Sequence, residues 1–291
     1  MRRRFSTRDL GLSIRMGLAL AVVGVLYLAL EVFLVLFALA AAGDHNIVAA
    51  LGLVAFAIAV PLLLRKQYRG AARNTLGALR ARPEAAGDQL VPVAAKLAGL
   101  ADLPAPDIVV AHSRAANALA VPTEGKSLIV VTTELLRVLE PQKIEAVLAH
   151  EITHLANGDG KVMTFVGGPA LAGSALWHAD DARGKITFAL LYWPFWLLGL
   201  LLMRAVSRYR EYTSDRGSAL LTGAPEQLMS ALTKLSGAEA RGDLRGGAAV
   251  SALCVIESRH RWGFLAYHPP LAKRLARLAE MAREQGRPVG P

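Results

Sequence analysis

The stretch from Met16 to Ala42 carries a single charged residue, Glu31, and after a turn at Gly43, Asp44, His45 and Asn46 a second apolar stretch runs from Ile47 to Leu64. Each is long enough to cross about 30 Å of hydrocarbon as a helix. A chain that enters lipid has few choices of fold, because every backbone N–H and C=O must be satisfied within the segment or its neighbours. Ile186 to Met203 is a third such segment, and Val162 to Trp177 a shorter fourth, interrupted by Gly167, Gly168 and Pro169. The sequence therefore predicts an α-helical membrane protein with about four transmembrane or membrane-inserted helices. A hydrophobic fraction of 54% over 291 residues fits that class better than a soluble enzyme.

Charge sets the expected orientation. Arg2, Arg3, Arg4, Arg8 and Arg15 precede the first apolar run and Arg65, Lys66, Arg69 and Arg73 follow the second, whereas the turn between them has neither Lys nor Arg. Basic flanks stay on the cytoplasmic side, so both termini and the polar segments are expected there, in a multi-pass membrane protein. The first run is too long, and too closely followed by the second, for a cleaved signal peptide. Topology and contact with anionic lipids account for the net charge of +10 without nucleic acid, for which no interleaved basic and aromatic motif exists. Membrane lipids are thus the expected partners; oligomeric state is not legible. Cys254 is the only cysteine, which excludes an internal disulfide and agrees with a reducing compartment. Glu31 is costly in lipid unless it faces other helices or a wet cavity, and helix packing is its simplest role. Tyr192, Trp193 and Trp196 read as interfacial aromatics.

Four segments follow: a two-helix anchor over 1–65, a polar region over 66–160, an apolar helical hairpin over 161–206 and a second polar region over 207–291. The polar pieces together form one α+β domain. Glu84 to Leu103 reads as a helix kinked at Pro92. Asp107 to Ala111, Asn117 to Val121 and Ser127 to Val131 read as short strands, with helices from Thr133 onward. An edge strand over Ser127 to Thr132 could pair with an extended substrate, although an ordinary core strand fits the same pattern.

The chemistry points to His150, Glu151, Ile152, Thr153 and His154. Pro141 to Leu155 has the apolar spacing of an amphipathic helix, Pro141 suits its first position and Gly158 its end. Residues four apart on a helix lie one above the other, so both imidazoles can reach one metal ion with Glu151 beside it. Taken alone the pentapeptide also occurs by chance. A catalytic zinc site needs three protein ligands and an open position, and Arg208 to Asp215 offers Glu211 as the third. Asp215, one turn on, can accept the hydrogen bond from the other ring nitrogen of a ligating histidine. A surface helix salt-bridged by Arg208, Arg210 and Arg216 is the rival reading. Because the histidines precede the last two apolar segments and Glu211 follows them, 162–203 must cross the membrane an even number of times, or not at all, for the three to meet. The mixed-charge stretch from His178 to Lys185 allows a hairpin tip.

With HExxH followed by Gly158 and Asp159, the segment REYTSD, the apolar hairpin between them, and His268, Pro269 and Pro270 through Arg274, the chain resembles the HtpX family of membrane zinc metalloproteases. Asn117, Ala118 and Ala120, the run Val131, Thr132, Thr133, Leu135 and Leu136, and the two amino-terminal spans extend the resemblance over nearly the whole chain. It implies a zincin-like (gluzincin) protease domain in the cytoplasm of the bacterial inner membrane, one Zn2+ per chain, and cleavage of damaged or misfolded membrane proteins. It also implies that His268 and Arg274 lie near the site as donors for the developing oxyanion, and that Asn117 and Ala118 line the substrate groove. Val121, Pro122, Ser214 and Tyr267 depart from the family pattern, as does the Gly- and Arg-rich stretch from Gly237 to Gly263, which suits a lid or a variable loop. None of these departures removes a ligand.

The expected activity is that of a zinc metalloendopeptidase, with His150, His154 and Glu211 on the metal and Glu151 as general base. Two rivals remain. A peptidase of the prenylated-terminus type has more spans than the four found here. A silent scaffold with structural zinc would need four closed ligands and would have no use for Glu151.

Overall fold

The computed structural model describes residues 10–42, 51, 62, 65–66, 69–70, 84–85, 89–121, 127–160, 162–163, 193–238 and 268–287. The chain divides into two compact units, one made of Met1–Ser13, Gly70–Lys161 and Arg204–Pro291, the other of Ile14–Arg69 and Val162–Met203.

In the second unit the principal described element is helix α1, Leu10–Ala42, which begins just before it. Its 33 helical residues rise about 50 Å at 1.5 Å each. Ile14, Leu18, Val22, Val25, Leu28, Val32 and Leu36 are exposed along it. Among the described residues no helix is long and apolar enough to cross a membrane. Of the other apolar segments, Ile47 to Leu64 and Val162 to Trp177 lie outside the described residues except at single positions, as does the tip from His178 to Lys185. Trp193 to Met203 is helical.

The first unit is α+β. Strands β1 (Glu84–Ala85), β2 (Asp107–Ala111), β3 (Ala118–Val121) and β4 (Leu128–Thr132) form a sheet in the order β1-β2-β4-β3. β2 and β4 are parallel, with Val109 opposite Val130; β3 is antiparallel to β4, with Leu119 opposite Val130. All residues of β3 and β4 are buried, and the run Leu-Ile-Val-Val-Thr of β4 is the continuous apolar sequence that a strand covered on both faces needs. One open reading is decided and one expectation is corrected here. Ser127 to Thr132 is no edge: β4 lies between β2 and β3, and among the described residues β3 ends the sheet. Glu84 to Leu103 is not one helix, because Glu84 and Ala85 pair with β2 and helix α2 starts only at Leu90 (Leu90–Leu100). Pro92 therefore falls in the first turn of α2, where its missing N–H has no helical partner to lose and no kink follows.

Thr132 closes β4 and caps the next helix, α3 (Thr133–Val138), accepting from Leu135 N. Helix α4 (Pro141–Asn157) starts with Pro141 at its first position and stops at Gly158, whose φ of 71° is the left-handed conformation that glycine adopts without strain. It packs against α2, β3 and helix α6 (Pro225–Ala238). Helix α5 is continuous over Trp193–Thr222, and α7 spans Leu271–Glu284. Leu97, Ile129, Leu135, Leu148, Ile152, Leu228, Leu232 and Leu278 form the core, each burial contributing about 1.5–3 kcal/mol. α4 meets α5 at close range. Ser218 Oγ donates to Ala146 O at 2.7 Å, and a Cβ on Gly217 would stand 2.5 Å from Thr153 Oγ1 and 2.9 Å from Thr153 Cβ.

Candidate metal centre

α4 and α5 bring together the residues that the sequence singles out. His150 and His154, one turn apart on α4, face each other through their Nε2 atoms at 3.1 Å, with the rings almost perpendicular at 86°. Glu211 of α5 reaches across to both, its Oε2 lying 3.5 Å from His150 Nε2 and its Oε1 3.5 Å from His154 Nε2. The three side chains are buried, and their ligand atoms lie within 4.8 Å of one another. Glu211 and Asp215 are 1% and 3% exposed, which excludes the rival surface helix.

The outer ring nitrogens assign the tautomers. His150 Nδ1 lies 3.1 Å from Asp215 Oδ1, and His154 Nδ1 lies 2.6 Å from Asp159 Oδ2. A neutral imidazole beside a carboxylate carries its proton on that side. Both Nε2 lone pairs then converge with a carboxylate in a buried space, an arrangement that repels itself unless a cation or proton sits between them. His2Glu with one open position is the donor set of catalytic zinc sites. The residues present fit such an ion.

The charges follow the same logic. Burial lowers the pKa of His150, but its bonds to Asp215 and Glu211 and their charges outweigh burial and raise it to about 9. Burial pushes Glu211 up, yet the charges of His268 and Arg274 hold it well below the usual carboxylate range. Asp215 is likewise lowered, burial being outweighed by Arg274 and His150. For Glu151 burial prevails and raises the carboxyl, against the opposing charges of His154 and His150. Ala120 N–H donates to Glu151 Oε2 at 2.6 Å, while Glu151 Oε1 is buried without a hydrogen-bond partner among the described residues.

The remaining site residues fall as follows. Arg274, on α7, grips Asp215 through Nε at 2.8 Å and a terminal nitrogen at 2.6 Å, and its other terminal nitrogen is 3.2 Å from Glu211 Oε2. His268 Nδ1 lies 3.3 Å from the same oxygen. Asn117 and Ala118 are buried at the start of β3. Asn117 N donates to Thr132 Oγ1 and Asn117 Oδ1 accepts from Ala118 N, both at 2.8 Å. Cys254 and most of Gly237 to Gly263 lie outside the described residues.

A family model for peptidase family M48 matches residues 84–282, from β1 through nearly all of α7, and so spans every one of these side chains. The chain belongs to peptidase family M48. Its relatives include a protease HtpX homolog of Moorella thermoacetica, 35% identical over 310 aligned positions that cover 98% of both chains. Protease HtpX homolog 1 of Streptomyces coelicolor is 35% identical over 321 positions, covering 100% of this chain and 99% of the relative. The crystal structure of S. mikatae Ste24p shares the fold, with a TM-score of 0.53 at 18% identity over 93% of this chain and 67% of that one. The M48 chain is a metalloprotease.

Several residues of this M48 site are not named by sequence spacing. Asp159, Arg210 and Ser214 all gather at His154 Nδ1. Ala120 binds Glu151 through its backbone, which no side-chain pattern reveals. Gly217 lets α5 approach Thr153; its one signal is a glycine inside a helix, where glycine is otherwise unfavourable.

Proposed function

We propose that this M48 peptidase is a zinc-dependent endopeptidase of the cytoplasmic membrane that cleaves damaged or misfolded proteins, membrane proteins among them. The observation that carries the reading is the convergence of His150, His154 and Glu211 with Glu151 beside them, one of its oxygens unengaged among the described residues. Zinc, when bound there, supplies a Lewis acid for the peptide carbonyl and lowers the pKa of a water toward about 7.

Glu151 receives the proton of the attacking water as its oxygen bonds to the carbonyl carbon, and delivers that proton to the amide nitrogen as the C–N bond breaks. Burial raises the pKa of its carboxyl, the direction that suits a group that takes and returns a proton. His268, buried beside Glu211, is the donor assigned to the carbonyl oxygen. Arg274, with its nitrogens directed at Asp215 and Glu211, holds both carboxylates and acts through them.

β3 supports a polypeptide substrate. Thr132 N donates to Asn117 O at 2.9 Å, so residues 117, 119 and 121 turn their backbone groups toward β4, and Ala118 and Ala120 turn theirs away. The outward side of β3 thus offers the carbonyls of Ala118 and Ala120 next to Glu151, where an extended chain can add as a further strand. In this reading the substrate role falls to the backbone of Ala118 and Ala120, and Asn117 serves by accepting from Ala118 N through its Oδ1. The exposed apolar side chains along α1 support the membrane assignment, since a continuous apolar surface needs lipid or a partner to cover it.

Glu151→Gln tests the mechanism. The purified variant is expected to keep its zinc and to lose about 10²–10⁴-fold in cleavage of an unfolded membrane protein. Cleavage at the wild-type rate would remove Glu151 from the chemistry.

A further inference from the structure

Among the described residues His154 Nδ1 has three polar neighbours: Asp159 Oδ2 at 2.6 Å, Ser214 Oγ at 2.9 Å and an Arg210 terminal nitrogen at 3.4 Å. A guanidinium has no lone pair to offer, so the ring N–H can donate only to Asp159 or Ser214. Asp159 Oδ2 also lies 2.9 Å from Arg210 Nε. All four residues are buried.

The local fold explains how Asp159 arrives there. No described residue stands within 4 Å of a Cβ on Gly158, so among these residues the position calls for glycine by its φ of 71° and not by space. The left-handed turn ends α4, and the next residue, Asp159, meets the imidazole five positions back. Arg210 comes from α5, adjacent to Glu211. The two histidines are thus steadied from separate places, His150 by Asp215 with Arg274 behind it, and His154 by Asp159 with Arg210 behind it.

We propose that Asp159, held in place by Arg210, is a positioning residue that fixes the tautomer and ring orientation of His154, so that metal affinity depends on the Asp159–Arg210 pair. The proposal rests on His150, His154 and Glu211 being a metal site. A carboxylate on the far nitrogen of a ligating histidine raises the basicity of the near nitrogen and fixes the ring plane, and its loss typically costs about 10–100-fold in metal affinity.

The test uses the full-length protein. Asp159→Asn alone leaves Arg210 buried without its charge partner, a change that can unfold the chain for unrelated reasons. The double variant Asp159→Asn with Arg210→Met removes both charges together. Zinc dissociation constants are measured by competition with a chromophoric chelator, and the visible absorption of the cobalt(II)-loaded protein reports the ligand geometry. The double variant is expected to bind zinc about 10–100-fold more weakly and to show an altered cobalt band, and Asp159→Glu, which keeps the charge, to recover part of the affinity. Affinity within about twofold of wild type, with an unchanged cobalt band, overturns the proposal. Wild-type protein that binds neither metal overturns the metal site itself, a separate result from a variant that binds as tightly as wild type.

Discussion

Arg274 touches both acidic residues of α5 and is 2% exposed, so its loss leaves two buried carboxylates without their cation. Arg274→Leu is expected to destabilise the fold by about 3–5 kcal/mol in a denaturant titration, with added zinc recovering part of the loss by offsetting the charge of Glu211. Arg274→Lys should not restore wild-type stability, because an ammonium cannot make the paired bonds to Asp215 that the guanidinium fork makes. Full stability of Arg274→Leu would show that the carboxylates are neutral. At this scale the sequence reveals His150, Glu151, His154, Glu211 and Asp215, because a spacing of four on a helix is written in the residues themselves. The pairing of Asp159 with Arg210 stays hidden for a physical reason. Their meeting depends on a left-handed turn at Gly158 and on the packing of two segments about fifty positions apart.

Between elements, the contact of α4 with α5 sets the reach of Glu211 toward the histidines. Gly217→Ala places a methyl against Thr153 and is expected to cost about 1–3 kcal/mol by overpacking, with lower zinc affinity. Adding Thr153→Ser, which removes the facing methyl, should return part of both; a double-mutant cycle measures the coupling, and additive losses would argue against direct contact. The ion pairs of Glu140 with Lys143 and Lys234 tie the start of α4 to α6. The hydrogen bonds from Lys143 and Lys234 lower the pKa of Glu140 from 4.5 to about 2. A depressed carboxylate contributes stability above its unfolded pKa and loses it as pH falls through the folded value. The melting temperature of Glu140→Gln should therefore sit slightly below wild type at neutral pH, and the gap should close between pH 4.5 and about 2 and in high salt. A gap that persists at pH 2 would contradict the ion pairs. Strand order was the least legible feature at this scale. Periodicity marks three of the strands but cannot say which is the edge, and β4 is interior because β2 and β3 both pair with it. Glu84 and Ala85 gave no strand signal, since two residues are too short to show alternation.

For the whole molecule, the apolar runs and the metal motif were legible because each is a local pattern, and the M48 match over residues 84–282 joins the pieces that an apolar segment separates. Metal should hold the polar domain together, because a ligand that binds only the folded state adds about 2.7 kcal/mol at a hundredfold excess over its dissociation constant. A strong chelator is expected to lower the melting temperature, and zinc to restore it in a concentration-dependent way; a melting temperature indifferent to both would exclude a tightly held ion. The central claim is that His150, His154 and Glu211 together hold one zinc that peptide cleavage needs. It is tested most directly by measuring zinc per chain, alongside cleavage of an unfolded protein, in the wild type and in Glu211→Ala. The expected result is one zinc in the active wild type, and loss of both zinc and activity in the variant. A wild type that cleaves without zinc, or a Glu211→Ala variant that keeps its zinc and its activity, would contradict the claim.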